Sequence, residues 1–227
     1  MAALNVMRSE TKHLLSRTEA ARLKERLKFL MKPDSYSPDG SYKVRSLYFE
    51  TPDRRDMFDK DVGAYARRKI RLRIYDPNQQ KAKLELKEKR GSVQRKRSAW
   101  VTKAMALRLI EGDFSVLYNR NDPFLDELYV MMTTEIYRPF VVVEYDRQAY
   151  TYPLGDVRVT FDSGVRASRS NFNIFDPDMQ FVSVFPDVVA EIKYTGYFPE
   201  ILSDIISDHC PVRDSVSKYF LSAEEFE

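Results

Sequence analysis

The sequence predicts an α+β protein built on an antiparallel sheet, and three observations support this prediction. Six short segments alternate apolar with charged side chains, which is the period of strands with one buried face. Four longer segments show the apolar period of amphipathic helices. The chain has 7 glycines and neither a GxGxxG nor a GxxxxGK[ST] motif, so neither a Rossmann nucleotide fold nor a P-loop is supported.

The composition is that of a folded protein in a reducing compartment. With 43% hydrophobic and 31% charged residues among 227, the chain can bury a core, and intrinsic disorder is excluded. A net charge of +3 is too near balance to indicate a nucleic-acid partner by itself. Cys210 has no second cysteine to pair with, so an internal disulfide is excluded, and no Cys/His cluster could hold zinc.

Targeting and linker signals are absent from the sequence. The first residues lack the apolar core of a signal peptide, and no apolar run approaches the roughly 20 residues of a membrane-spanning helix. We therefore expect a cytoplasmic protein. The polar turns at residues 33–40 and 77–80 are short enough to be loops, so one domain over residues 1–227 is expected.

The helices and one strand can be placed by pattern and capping residues. A helix is predicted over residues 18–31 with Thr18 as its N-cap, and a short helix is predicted to start at Asp53. A strand is predicted over residues 42–50. The other predicted helices cover residues 102–110, 122–137 and 199–207.

The polar sides of the remaining strands carry mostly charged residues. In the strand over residues 67–75, Lys69, Arg71 and Arg73 alternate with apolar residues. In the strand over residues 83–89, the polar side carries Lys83, Glu85, Lys87 and Lys89. The same division gives four more polar sides: Arg8, Glu10 and Lys12; Val142, Glu144 and Asp146; Arg158 and Thr160; and Glu191 and Lys193.

Two interpretations of these charges remain open. On any one strand, lysine and arginine facing solvent is the ordinary pattern of antiparallel sheets. As a set, however, like charges on adjacent strands destabilise a sheet, which favours an anion bound among them. If the sheet closes with its apolar sides under the helices, the basic sides line a lumen suited to a polyanion and its metal.

The charged residue types suit phosphate chemistry. The fixed fork of donors on arginine matches phosphate oxygens, and Arg71 and Arg73 are spaced to reach adjacent phosphates. Glu191 is the natural ligand for Mg²⁺ or Mn²⁺, which need few carboxylates when a substrate supplies the other oxygens. Glu10 and Glu144 are weaker candidates, since they could equally keep neighbouring arginines aligned. His13, His209, Cys210 and Trp100 are interpreted as structural.

The order of motifs along nearly the whole chain resembles a known family. RSETKHLLS is followed by VRSLYFETPD, RRKIRLRIY, LELKEKRG, VVVEYDRQAY, VRVTFD, VVAEIKY and VSKYF. In this order they resemble the triphosphate tunnel metalloenzymes and, among them, the VTC catalytic domain, which makes inorganic polyphosphate. The resemblance implies an eight-stranded antiparallel β-tunnel, a closed barrel with a basic lumen and helices packed outside.

The resemblance also implies a set of site residues. It implies metal binding by Glu191, and Mn²⁺ or Mg²⁺ is the expected cofactor. The implied phosphate ligands that act in catalysis are Lys12, Arg71, Arg73, Lys87, Arg158 and Lys218. Further basic groups for the substrate are Arg8, Lys69, Lys89, Lys193 and Arg95 or Arg97, although the side of the strand that carries Arg95 and Arg97 is ambiguous.

The function implied is that of a polyphosphate polymerase, which transfers the terminal phosphate of a nucleoside triphosphate to a polyphosphate chain. The adenylate cyclase and thiamine triphosphatase branch of the superfamily that the chain resembles begins with ExExK. Here Arg8 stands in place of the first glutamate, which argues against nucleotide cyclization and against thiamine triphosphate hydrolysis. Hydrolysis of tripolyphosphate or nucleoside triphosphates, and a non-catalytic polyphosphate-binding module, remain alternatives. Nucleic acid is disfavoured as a partner, a membrane-bound partner is left open, and the base preference is undetermined.

Overall fold

The computed structural model describes residues 8–36, 40–91, 93–210 and 217–226, without the side chain of Arg8. Its strands are β1 (Arg8–Leu15), β2 (Lys32–Pro33), β3 (Tyr42–Glu50), β4 (Ala66–Ile74), β5 (Lys81–Arg90), β6 (Val93–Thr102), β7 (Arg138–Tyr152), β8 (Val157–Ser168), β9 (Val182–Ser183) and β10 (Val188–Thr195). Its helices are α1 (Arg17–Lys28), α2 (Arg55–Asp61), α3 (Lys103–Ile110), α4 (Pro123–Thr134), α5 (Glu200–His209) and α6 (Lys218–Glu224). Within these ranges, no helix is long and apolar enough to cross a membrane.

Side-chain caps fix where the helices begin. Ser16, rather than the predicted Thr18, is the N-cap of α1. Its hydroxyl accepts from the Glu19 amide at 3.2 Å, and the Glu19 carboxylate accepts from the Ser16 amide at 2.8 Å. This reciprocal pair satisfies two amides that a helix start otherwise leaves without partners. Thr102 and Asp122 cap α3 and α4, within a residue of the predicted starts.

The strands form one large sheet in the order β1-β10-β8-β7-β3-β4-β5-β6, with β2 on β7 and β9 on β8. The pairs β1/β10, β10/β8, β3/β4, β4/β5 and β5/β6 are all antiparallel. This confirms the predicted α+β class with an antiparallel sheet. Among the described residues β1 and β6 are the two ends of the order, so closure of the sheet is not seen.

The chain divides into two compact units, each assembled from three segments. The first unit contains Met1–Lys43, Tyr145–Val165 and Ser183–Leu221. The second contains Val44–Glu144, Arg166–Val182 and Ser222–Glu227. The single domain predicted over residues 1–227 therefore stays a prediction.

In the first unit, helices α1 and α5 cover one face of β1, β8 and β10. The buried side chains on that face are apolar, and each fully buried one stabilises the fold by roughly 1.5–3 kcal/mol. Because side chains alternate across a strand, the opposite face receives the polar residues. The core contains Leu15, Leu23, Leu27, Val159, Phe161, Ala190, Ile192, Leu202 and Ile206.

The second unit repeats this division with different elements. Helices α3 and α4 and the short helix Phe114–Leu117 cover the apolar face of β4 and β5. The core there contains Leu47, Phe49, Ile70, Leu72, Leu84, Leu86, Leu109, Leu125 and Leu128. The residues that alternate with this core on β4 and β5 are charged, so one face of the unit is apolar and the other basic.

Candidate functional site

The register of β4, β5 and β6 arranges the charged residues of the second unit in rows. Residues directly opposite on antiparallel strands share a face, so each row lies on the same side of the sheet. We call this side the charged face of the second unit. Its rows are Arg73, Lys83 and Trp100; Arg71, Glu85 and Ser98; Lys69, Lys87 and Lys96; and Arg67, Lys89 and Gln94.

Glu85 is the centre of one group on this face, the Glu85 cluster of Arg71, Arg73, Glu85 and Lys96. The Glu85 carboxylate lies 2.6 Å from Nε of Arg71, 2.5 Å from Nζ of Lys96 and 3.9 Å from Nε of Arg73. Burial alone would raise the pKa of Glu85, but Arg71, Arg73 and Lys96 together lower it to about 2. One carboxylate thus serves three cations, and the cluster keeps an excess of positive charge.

Hydroxyl groups hold the two arginines of the Glu85 cluster in place. Nη1 of Arg71 donates to the Tyr48 hydroxyl at 3.1 Å, and Nε of Arg73 donates to the Ser46 hydroxyl at 3.1 Å. Both partners lie on β3, which pairs with β4. Guanidinium groups fixed in this way lose less conformational entropy when they bind an anion.

A row of three lysines lies next to the Glu85 cluster. Lys69 is directly opposite Lys87, and Lys87 is directly opposite Lys96. Opposed side chains on antiparallel strands have Cβ atoms about 4.5–5.5 Å apart, and like charges at this distance destabilise the sheet. Lys96 also contacts Glu85 at 2.5 Å, and an anion bound along the row would add negative charge beside all three lysines.

Arg95 and Arg97 lie on the opposite, helix-covered side of β6, which corrects the expectation that one of them joins the basic face. Arg97 is opposite Leu86, and its Nη2 donates to Glu127 of α4 at 2.7 Å. Its guanidinium group also lies over the ring of Phe124. The residue of β6 that lies on the charged face beside Glu85 is Lys96, which sequence reasoning missed. The tight hairpin between β5 and β6, where Arg90 pairs with Val93, could have identified it, because the register of the hairpin decides which residues of β6 share the face of Glu85.

In the first unit, Glu191 lies among three cations. Its carboxylate oxygens are 3.4 Å from Nζ of Lys193, 3.9 Å from Nζ of Lys12 and 3.8 Å from Nη2 of Arg147. Burial alone would raise the pKa of Glu191, but Lys193 and other neighbouring groups hold it well below its ordinary value. Glu191 is therefore a carboxylate at neutral pH. We call Glu10, Lys12, Arg147, Asp162, Glu191, Lys193 and Lys218 the Glu191 cluster.

Glu10 brings a second carboxylate to Glu191. Lys12 lies 3.5 Å from Glu10 and 3.9 Å from Glu191, and Lys193 lies 3.9 Å from Glu10 and 3.4 Å from Glu191, so the two carboxylates share both lysines. Among the described residues, no group of three or more Asp, Glu, His or Cys side chains could hold a metal ion. Two carboxylates still fit Mg²⁺ or Mn²⁺ when substrate phosphates and waters complete the coordination. The pair Glu10 and Glu191 thus fits a metal shared with a phosphate.

Asp162 is a different kind of carboxylate in the same cluster. It is 0% exposed and lies 2.6 Å from Nε of Arg147 and 2.7 Å from Nζ of Lys218. Burial alone would raise the pKa of Asp162, but Lys218 and Arg147 lower it. Sequence reasoning missed both Asp162 and Arg147. Their bonds place Lys218, the first residue of α6, in the Glu191 cluster.

Glu144, the third predicted metal ligand, is held by two arginines in the structure. Its carboxylate accepts from Nε of Arg45 at 2.5 Å and from Nε of Arg166 at 2.9 Å. Arg45 also donates to the backbone oxygen of Ile174 at 3.0 Å. Both carboxylate oxygens are therefore used by guanidinium groups, and Glu144 anchors a loop. This is the salt-bridge interpretation that the sequence left open.

The remaining predicted residues are placed as follows. Arg158 lies opposite Lys193, and its Nη2 donates to Asp34 at 2.6 Å and to Tyr42 at 3.1 Å. Its Nε is buried with no hydrogen-bond partner among the described residues. Arg8 is opposite Thr195 in β1, and its side chain lies outside the described part. Lys89 is on the charged face of the second unit.

Comparisons with known proteins agree with this fold. The VTC domain family matches residues 7–226. No curated protein matches the chain. A proposed adenylate cyclase from Bacillus halodurans has a similar structure, with 14% identity, a TM-score of 0.56 and 92% of each chain covered. A protein from Pyrococcus horikoshii is 12% identical, with a TM-score of 0.49 over 96% of this chain and 99% of that one. At 14% identity, the likeness to the Bacillus halodurans structure shows the fold alone.

Proposed function

Because the chain belongs to the VTC domain family, we propose that it is a metal-dependent phosphotransferase that extends polyphosphate. The terminal phosphate of a nucleoside triphosphate is the group transferred, and a phosphate chain is the acceptor. Closure of the sheet into an eight-stranded tunnel, which the sequence resemblance implies, is part of the same proposal, and so is a cytoplasmic location.

The observation that carries the proposal is the lysine row beside the Glu85 cluster. Lys69, Lys87 and Lys96 are opposed like charges, and Arg71 and Arg73 are held by hydroxyl groups two residues apart. Phosphoryl transfer requires mainly positioning of the phosphates and neutralisation of their charge. These five cations share their rows with one carboxylate, Glu85, so a phosphate chain bound along them would meet both requirements.

The transfer itself would use few residues. An oxygen of the acceptor phosphate attacks the terminal phosphorus of the nucleotide, the bond to the bridging oxygen breaks, and the nucleoside diphosphate leaves. Glu191 and Glu10 would hold Mn²⁺ or Mg²⁺, which neutralises charge on the phosphate oxygens. Lys12 and Lys193 lie within 4 Å of both carboxylates and orient them. Arg158, through its buried Nε, can donate to a phosphate oxygen.

The test is an incubation of the purified protein with ATP and Mn²⁺, with the products resolved on a gel and free phosphate measured in parallel. A ladder of long polyphosphate is the expected result. Free phosphate without a ladder would assign the chain as a hydrolase instead. Binding of tripolyphosphate with neither product would identify a non-catalytic binding module. Arg22→Ala, on the exposed side of α1, is the matched control and should behave as wild type.

A further inference from the structure

Trp100 is a large aromatic side chain exposed on the charged face of the second unit. It is 56% exposed and is the single tryptophan of the chain. It lies opposite Lys83, whose Nζ is 5.6 Å from the centroid of the indole ring. Exposing an apolar indole ring to water costs free energy, and the exposed half of this side chain contributes no buried apolar surface to the core. The sequence interpretation of Trp100 as structural does not explain that exposure.

The position of Trp100 relates it to the phosphate-binding rows. Its own row contains Lys83 and Arg73, the next row contains Arg71 and Glu85, and the third is the lysine row. Two residues along a strand span about 7 Å, so these rows follow one another at about that spacing. An aromatic platform thus lies at one end of a series of cations.

A nucleoside triphosphate has the same order of chemical groups. Its base is planar and aromatic, and its phosphates extend from the other side of the ribose. Aromatic side chains bind bases by stacking, and a cation on the ring adds a favourable interaction with the π system. With Lys83 near the indole, more than half of the Trp100 side chain remains accessible for a base.

We propose that Trp100 stacks on the base of the nucleoside triphosphate while the phosphates contact the rows of Arg71 and of Lys96. This inference rests on the proposed function, because it names where the rest of the same substrate binds. Stacking tolerates any base, because every base has a π face. ATP, GTP and CTP should therefore all bind, and the enzyme should accept them with similar affinities.

The single tryptophan makes the contact directly measurable. The protein is titrated in Mg²⁺ with ATP and, separately, with tripolyphosphate, and tryptophan fluorescence is recorded, with free tryptophan amide as the optical control. ATP should quench the emission of Trp100 in a saturable way, because the base lies on the ring. Tripolyphosphate has no base and should bind with little quenching, and it should displace ATP and restore the emission.

Substituting Trp100 distinguishes its contribution to binding the base from the contribution of the cations to binding the phosphates. In Trp100→Ala, the affinity for ATP measured by calorimetry should fall roughly fivefold to a hundredfold, the range found when a stacking aromatic is removed. The affinity for tripolyphosphate should change less than about twofold, and this also reports that the variant is folded. Trp100→Phe should retain part of the affinity for ATP. Phe58→Ala, which removes an exposed aromatic of α2, should change neither.

Equal losses for ATP and tripolyphosphate in Trp100→Ala, or no loss for either, would overturn the stacking proposal and leave the proposed function intact. Failure of the wild-type protein to bind tripolyphosphate would instead overturn the proposed function.

Discussion

The Glu191 cluster and the Glu85 cluster use the same strand alternation for different chemistry. In the Glu85 cluster, one buried carboxylate is shared by three cations, so the net charge is positive. In the Glu191 cluster, Glu191 and Glu10 bring two carboxylates together with Lys12 and Lys193 beside them. The first arrangement suits an anion, and the second suits a cation shared with an anion. Position on the polar side of a strand therefore does not decide the role of a charged residue.

Within the Glu191 cluster, the two buried acids also differ. Asp162 makes contacts of 2.6 and 2.7 Å with Arg147 and Lys218, whereas Glu191 lies 3.4–3.9 Å from its three cations. Short bonds to both oxygens leave Asp162 no room for another ligand. The longer ion pairs of Glu191 can rearrange around a metal, so we propose that Asp162 stabilises the fold and that Glu191 binds the metal.

The largest expected effect separates these two acids. Glu191→Gln should lower turnover about a hundredfold or more at saturating Mn²⁺, because a metal ligand is lost, while tripolyphosphate still binds. Asp162→Asn should instead lower the free energy of unfolding by about 3–5 kcal/mol, because it leaves buried cations without their partner. Steady-state kinetics, calorimetry and urea denaturation measure the three quantities. Wild-type turnover in Glu191→Gln would remove Glu191 from the metal site.

The second prediction concerns the pH dependence of stability. The pKa of Glu85 is lowered from its ordinary value of 4.5 to about 2, so its contribution is fully present above pH 4.5 and is lost as the pH falls towards 2. This shift corresponds to about 3 kcal/mol. The difference in unfolding free energy between wild type and Glu85→Gln should therefore be largest at neutral pH and shrink on acidification.

Glu127, the exposed partner of Arg97 on the other side of β6, is the control for this titration. Glu127→Gln should change the pH dependence of the unfolding free energy below pH 4.5 much less, because ion pairs open to solvent contribute little to stability. If Glu85→Gln and Glu127→Gln change the pH dependence of the unfolding free energy equally, the buried ion pairs of Glu85 contribute no more to stability than the exposed pair of Glu127.

The third prediction sharpens the assignment of the Glu85 cluster to anion binding. Arg71→Ala and Arg73→Ala should each weaken tripolyphosphate binding roughly tenfold or more, since a hydrogen bond to a charged group contributes about 1.5–3 kcal/mol. Arg22→Ala and Arg26→Ala, on the exposed side of α1, should change the affinity little. Calorimetric titration gives the four affinities. Small, equal losses at all four positions would mean diffuse attraction to a basic surface.

The smallest effect is expected from two neighbours on β6 that face opposite ways. Lys96→Ala should weaken tripolyphosphate binding severalfold, because Lys96 belongs to the lysine row. Arg97→Ala should leave binding unchanged and lower stability slightly, since it removes a partner of Glu127 and Glu88. The reverse pattern in calorimetry would show that the register of β6 differs from the one described.

The sequence alone predicted the charged faces where alternation is strict. In residues 69–74 and 83–87 apolar and charged residues alternate, and the structure places Ile70, Leu72, Ile74, Leu84 and Leu86 in the core and Arg71 opposite Glu85. Strand β3 has the bounds predicted for it. A period of two identifies the two faces whenever only one of them is buried.

Alternation failed where both faces of a strand have the same character. Val141, Val142 and Val143 are all 0% exposed, so the pattern around them could not tell whether Glu144 or Arg147 faces the Glu191 cluster. In β6 charged residues occupy both faces, so Lys96 could not be distinguished from Arg97 before the pairing with β5 was known. In β6 the answer depends on the register of the hairpin with β5, and in β7 it depends on long-range pairing; the alternation within each strand encodes neither.

The most direct test of phosphate-chain binding is the melting temperature with anions of increasing length at equal ionic strength. A ligand specific to the folded state at about 100 times its dissociation constant adds roughly 2.7 kcal/mol, which raises the melting temperature by about 5–10 °C for a chain of this size. Tripolyphosphate should stabilise more than pyrophosphate, and pyrophosphate more than sulfate, because longer chains contact more cations. A single-stranded oligonucleotide should have little effect. If the oligonucleotide stabilises the protein more than tripolyphosphate does, the charged faces bind nucleic acid and the account of a phosphate-chain enzyme is contradicted.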